Sequence, residues 1–254
     1  MPARTILEIA VDSFADAVAA AGAGADRLEL VASLDRHGLT PPVELLRKVK
    51  TAVTVPVMVM LRPVHGSFVC TLRSVAMMLN QGENLLAAGA DGIVFGVLRK
   101  AGDIDRDATA MLVRMAGTRE TVFHRAFDLT PDPLSTIDAL ADRGVSRVLS
   151  SGLDVRSTAT ALGLPTPPND RVVRDAALPA RLERLRAVVS AAAGRVEVMP
   201  GGGIRAATVI GFLELGVRAI HSACRATGGR SMDIGEVRAL RRVIDDFDAS
   251  RINA

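Results

Sequence analysis

A chain of 254 residues, 49% hydrophobic and 23% charged, has an ordinary globular composition and the length of one (β/α)8 barrel, about 250 residues. Its net charge of +3 rests almost wholly on Arg, with Lys only at positions 48, 50 and 100, and it has no Trp or Tyr. Stacking platforms are therefore scarce, no apolar stretch is long enough for a bilayer, and neither a nucleic-acid nor a membrane partner is expected.

The N-terminus runs straight into a strand pattern at 6–11 with no signal-peptide apolar core, and a helix follows at 14–21 capped by Asp12 or Ser13. Next come a strand at 27–31, a helix at 43–52 behind Thr40-Pro41-Pro42, a strand at 55–61 and a helix at about 72–88. A strand at 92–97, a helix at 105–116, a strand at 121–127, a helix at 133–143 and a strand at 147–150 continue the alternation. The chain closes with a strand at 196–199, a helix at 206–215, a strand at 219–222 and a helix from about 234 to 247.

One module recurs through this order. Gly24-Ala25-Asp26-Arg27-Leu28-Glu29-Leu30, Gly89-Ala90-Asp91-Gly92-Ile93-Val94-Phe95, Gly144-Val145-Ser146-Arg147-Val148-Leu149-Ser150 and Gly216-Val217-Arg218-Ala219-Ile220-His221-Ser222 share one layout. Each glycine ends a helix and each apolar run is a buried strand, which implies βα units and a parallel sheet. About eight such units make a single-domain TIM barrel over 1–254. A doubly wound sheet is the alternative, but no GxGxxG follows the first strand. The rhythm breaks at 153–180, where a long loop carries Thr166-Pro167-Pro168-Asn169-Asp170 and reads as a lid, an interface arm or an insertion.

In a barrel the chemistry lies at the C-terminal ends of the strands. There the chain places Glu8, Glu29, Arg62, His124, Arg125 and His221, with Asp128 and Ser150-Ser151 nearby. Glu29 and His221 share one place in the repeat, which Val94 and Leu149 fill in the other copies, so both face the barrel interior. Three readings follow. Glu8, Glu29, His124 and His221 could form a divalent-metal site, with His124 and His221 as its imidazole ligands. A carboxylate–imidazole pair could work as acid and base on a small substrate, with Arg62 and Arg125 clamping its anionic group. Or Glu8, Glu29, Arg62 and Arg125 form a buried ion-pair network. The turn Pro200-Gly201-Gly202-Gly203, ahead of the 206–215 helix, reads as an anion cradle of Gly201, Gly202, Gly203 and Ser222. His37 and His65 read as solvated loop residues, and Cys70 and Cys224 as unpaired thiols suited to a reducing cytoplasm. No strand carries a Schiff-base Lys, and no nucleophile elbow is present.

Leu7-Glu8-Ile9, the Gly24–Leu30 module, Gly38-Leu39-Thr40-Pro41, Leu61-Arg62-Pro63, Phe123-His124-Arg125-Ala126-Phe127-Asp128, Ser151-Gly152, Met199-Pro200-Gly201-Gly202-Gly203 and His221-Ser222 together resemble the copper homeostasis protein CutC family. The match runs in order from about residue 6 to about 224. The resemblance implies a TIM barrel, a cytoplasmic homodimer or homotetramer, and copper or another divalent metal as ligand, held by some of His65, Cys70, His124, His221 and Cys224. Some members carry a cysteine after the Leu-Glu-Leu of the second strand, and that position is Val31 here. The alternative remains a lyase- or isomerase-type enzyme binding a small anionic or phosphorylated substrate at the same barrel face.

Overall fold

Residues in the strands alternate between two environments, and that alternation builds the barrel. In the computed structural model, which describes residues 4–153, 178–226 and 231–252, the elements are β1 (Ile6–Val11), α1 (Phe14–Gly22), β2 (Arg27–Leu30), α2 (Val43–Lys50), β3 (Val57–Met60) and α3 (Leu72–Ala87). They continue as β4 (Gly92–Phe95), α4 (Arg106–Ala116), β5 (Glu120–Phe123), α5 (Pro133–Ala141), β6 (Arg147–Ser150) and α6 (Leu178–Ala192). The last are β7 (Glu197–Pro200), α7 (Val209–Leu213), β8 (Ala219–Ser222) and α8 (Ile234–Ile252). All ladders are parallel, in the order β7-β6-β5-β4-β3-β2-β1-β8, and β7 lies beside β8, so the sheet curls into a nearly closed barrel. The expected (β/α)8 architecture is therefore present.

One set of strand residues, among them Leu7, Ile9, Leu28, Leu30, Ile93, Phe95 and Ile220, faces outward and packs under the helices. Each fully buried side chain of this kind stabilises by about 1.5–3 kcal/mol. The other set faces inward: Val31, Met58, Met60, Val94, Val122, Leu149, Met199 and Ala219 form a separate apolar cluster inside the barrel. Helix starts follow local chemistry. The Ser13 hydroxyl accepts from the Asp16 amide at 3.0 Å, so Ser13 rather than Asp12 caps α1. Asp105 caps α4 in the same way.

The N-terminal end of the barrel is sealed by charge. Arg27, Glu120, Arg147 and Glu197 each open their strand, and their side chains join across the interior. Arg147 reaches Glu197 at 2.6 Å and Glu120 at 2.9 Å, and Arg27 reaches Glu120 at 3.4 Å. Gly92 leaves room for this layer, since a Cβ there would stand 2.5 Å from the Glu120 carbonyl oxygen and 2.3 Å from the Met58 methyl.

Several element ends shift, and two expected elements differ most. Residues 124–127 leave the strand for a 3-10 turn over Arg125–Leu129, because the His124 ring accepts the Ala126 amide at 3.1 Å and closes the turn. The helix expected at 206–215 shortens to Val209–Leu213, because Arg205 and Thr208 form a turn and the Glu236 carboxylate takes the Ala206 amide at 2.7 Å. Of the loop expected at 153–180, residues 154–177 lie outside the described residues. The steric account of the charged layer yields one expectation: Gly92→Ala destabilises by about 1–3 kcal/mol or more, measured by chemical denaturation.

Candidate functional site

Glu8 lies on β1 between two strands, and its register partners are Arg27 on β2 and His221 on β8. Both partners point the same way as Glu8, into the barrel. Arg27 Nε donates to Glu8 Oε2 at 2.5 Å, and His221 Nδ1 lies 2.8 Å from Glu8 Oε1. Burial alone pushes the Glu8 carboxyl up, but Arg27 and His221 outweigh it and hold the group at about 2. Glu8 is thus a carboxylate and can only accept, so Nδ1 of His221 carries a proton. Nε2 turns toward Glu29, 3.4 Å from Oε2.

Glu29 lies one pleat beyond Arg27 and is 3% exposed. Its Oε1 has no hydrogen-bond partner among the described residues. Burial is the largest influence and lifts its carboxyl from 4.5 to about 7; the neighbouring Glu8 charge adds to this, against His221 and Arg27. Two carboxyls of one cluster are thus pushed in opposite directions by their surroundings.

His124 caps the turn after β5 and is 4% exposed. Burial, then Arg62 and Arg125, drive its imidazole down to about 3, so the ring is neutral. Nδ1 accepts from Ala126, which places the proton on Nε2. Nε2 has no partner among the described residues. The ring leans on Phe68 at 4.7 Å, and a Cβ on Gly96 would stand 2.2 Å from its Cε1. Glu29, His124, Arg125 and His221 line one cavity of about 90 Å3, together with Met60 and Phe68.

The remaining expected residues sit around this mouth. Arg62 directs its guanidinium at the carbonyl oxygens of Arg36, His37, Gly38 and Gly66 and stacks on Phe68 at 4.7 Å. It ties the β2 and β3 loops together. Arg125 lies 3.6 Å from Asp128, which accepts from Ser150 and Ser151. Gly202 and Gly203 have φ of 77° and 70° and line the cavity. The Gly201 amide donates to the Ser150 carbonyl, and the Gly201 and Gly202 carbonyls accept from Arg181. The Ser222 hydroxyl donates to the Ile204 carbonyl. With only five residues in α7, the turn gains little from a helix dipole.

Cys70 is half-buried and Cys224 buried, and burial pushes both thiols up, Cys224 to about 11. Neither lines the cavity, and His65 is exposed. His37, expected in solvent, lines the cavity instead. Arg27 and Arg147 are participants the sequence reading passed over. The repeat held their signal: they occupy the place two residues before Glu29 and Leu149, which faces the same way.

The fold and this mouth define a parallel (β/α)8 barrel whose C-terminal face holds a carboxylate–imidazole cluster. The CutC family model matches residues 5–163. A CutC family protein of Treponema denticola is 39% identical over 85% of this chain and 80% of its own length. The human copper homeostasis protein cutC homolog is 35% identical over 89% of this chain and 76% of its own length. A crystal structure of CutC from Streptococcus agalactiae superposes with a TM-score of 0.73 at 25% identity, covering 86% of this chain and 98% of that one. The chain belongs to the CutC family. A 3-hexulose-6-phosphate synthase from Salmonella typhimurium, at 16% identity and a TM-score of 0.63, shares the fold.

The raised Glu29 carboxyl has a stability consequence with a definite sign. A carboxyl lifted from 4.5 to about 7 on folding favours the folded state below 4.5 and loses that contribution as pH rises to about 7. Glu29→Gln removes this dependence. The variant is expected to gain stability over the parent progressively between those pH values, to a plateau on the order of 1–3 kcal/mol, read from parallel melts across pH.

Proposed function

We propose that this chain serves copper homeostasis, the role named for its human and mouse relatives, and that copper binds at the barrel mouth. The buried cluster of Glu8, Glu29 and His221, whose ligand atoms lie within 4.8 Å of one another, carries the reading. Its members have different parts. Both Glu8 oxygens are engaged, by Arg27 and His221, so Glu8 orients the imidazole from behind, as second-layer carboxylates do at metal sites. Glu29 and Nε2 of His221 would hold the ion. Oxygen and imidazole donors suit copper(II), whereas copper(I) favours thiolates, and neither cysteine lines the mouth. His124 presents an N–H there, so it faces a ligand as a donor.

The same proposal covers the surroundings. Two unpaired cysteines suit a reducing cytoplasm. Val64, Val69 and Leu72, with Leu72 92% exposed, offer an apolar edge for a homo-oligomer on the β3–α3 segment. No helix among the described residues is long and apolar enough to cross a membrane. A second reading, an acid–base enzyme for a small anionic substrate with Gly201–Gly203 and Arg125 as its anion contacts, is favoured by the Glu29 carboxyl, raised to about 7, lining the same cavity as His124.

Copper(II) titration of metal-free protein, followed by calorimetry and electron paramagnetic resonance, tests the first reading. Saturable binding is expected, weakened about 10- to 100-fold in Glu8→Gln and at least as much in Glu29→Gln and His221→Ala. Cys70→Ser and Cys224→Ser are expected to bind like the parent. Affinity unchanged in the Glu and His variants but lost in the Cys variants would overturn it.

A further inference from the structure

The mouth holds few donors for a cation and several donors for an anion. Glu29 and His221 are the residues assigned to copper above, and Glu8 stands behind them. The lining beyond them changes character: Val31, Leu34, Phe68 and Leu149 are apolar, His124 has its N–H without a partner among the described residues, and Arg125 brings a guanidinium paired with Asp128. Copper(II) prefers a tetragonal set of nitrogen and oxygen ligands, which two protein residues leave incomplete. An N–H group and a guanidinium repel a cation and cannot complete that set. They can bind an anion that does.

We propose that the mouth takes copper(II) together with a small organic carboxylate, such as a hydroxy acid or amino acid, which chelates the metal and is held by His124 Nε2–H. The inference rests on the copper reading of this mouth.

Three observations support it. First, His124 is a built donor. It is 4% exposed, its Nδ1 is fixed by the Ala126 amide, and its Nε2–H has no partner among the described residues. A buried polar group left that way carries a desolvation cost, which a ligand oxygen would recover. Phe68 and Gly96 confine the ring, so its direction is set by packing. Second, charge calls for an anion. With Glu8 balanced by Arg27 and Arg125 by Asp128, the Glu29 carboxylate contributes one negative charge against a doubly charged ion. Third, space allows one. A cavity of about 90 Å3 exceeds the roughly 10–15 Å3 that one water-sized ligand occupies, leaving room for several heavy atoms beside an ion.

Radiolabelled lactate, a weak hydroxy-acid chelator, is the probe. Equilibrium dialysis measures its uptake by the full chain with and without copper(II), and calorimetry measures copper affinity with and without lactate. Copper is expected to tighten lactate binding about 5- to 150-fold, and lactate to tighten copper binding by the same factor, as linkage requires. His124→Phe is expected to keep copper and lose this coupling, and His124→Gln, which restores an N–H donor, to recover part of it. Copper binding with no coupled lactate uptake in the parent protein would overturn the inference while leaving the copper reading intact. Coupling that persists unchanged in His124→Phe would overturn the role of His124. Failure of copper to bind, with or without lactate, would remove both.

Discussion

The contact between Arg27 and Glu8 is the constraint on which the mouth depends. A carboxylate inside a barrel is tolerated only when a counter-charge stands against it. Arg27 supplies that charge at 2.5 Å, so Glu8 remains ionised where burial alone would neutralise it. An ionised Glu8 then dictates the His221 proton, and the His221 ring in turn faces Glu29. The first two steps join adjacent strands, β2 to β1 and β1 to β8, and the third reaches back across β1 to β2, so the order of strands in the sheet places all three groups together.

The barrel interior is accordingly divided along its axis. At the N-terminal end Arg27, Glu120, Arg147 and Glu197 satisfy one another. The middle is methionine and aliphatic packing. At the C-terminal end the polar groups are only partly satisfied, with Glu29 Oε1 and His124 Nε2 left over among the described residues. A network built for stability alone would satisfy these atoms as it does those at the other end. Around the mouth, Arg62 and Arg181 serve as cross-links between loops, each bonded to backbone carbonyls and each lying over a phenylalanine, Phe68 and Phe212. They fix the rim on which the site residues sit.

Much of the fold was legible because the repeat is visible. Gly24, Gly89, Gly144 and Gly216 each precede a strand, and the strands expected at 6–11, 147–150 and 219–222 coincide with β1, β6 and β8. The inward direction of Glu29 and His221 was legible from the same repeat. The identity of the ion-pair network was not. Arg62 and Arg125 were expected in it, but Arg62 turns to loop carbonyls and the network is completed by Arg27, Arg147, Glu120 and Glu197. Strand-opening residues look like exposed ends in a sequence, and only closure of the barrel brings four of them together. The bend at His124 was also hidden, because a side chain accepting a backbone amide two residues on leaves no mark in hydrophobic periodicity.

The account stands on two imidazoles facing one cavity, His221 with a proton held on Nδ1 by Glu8 and His124 with a bare Nδ1 and its proton on Nε2. Nitrogen NMR of the metal-free protein above neutral pH reads this directly, through long-range correlations from the ring protons to each nitrogen. The account predicts a protonated Nδ1 for His221 and, for His124, a bare Nδ1 with the proton on Nε2. A His221 ring with a bare Nδ1 would break the link from Arg27 through Glu8 to the mouth and contradict it.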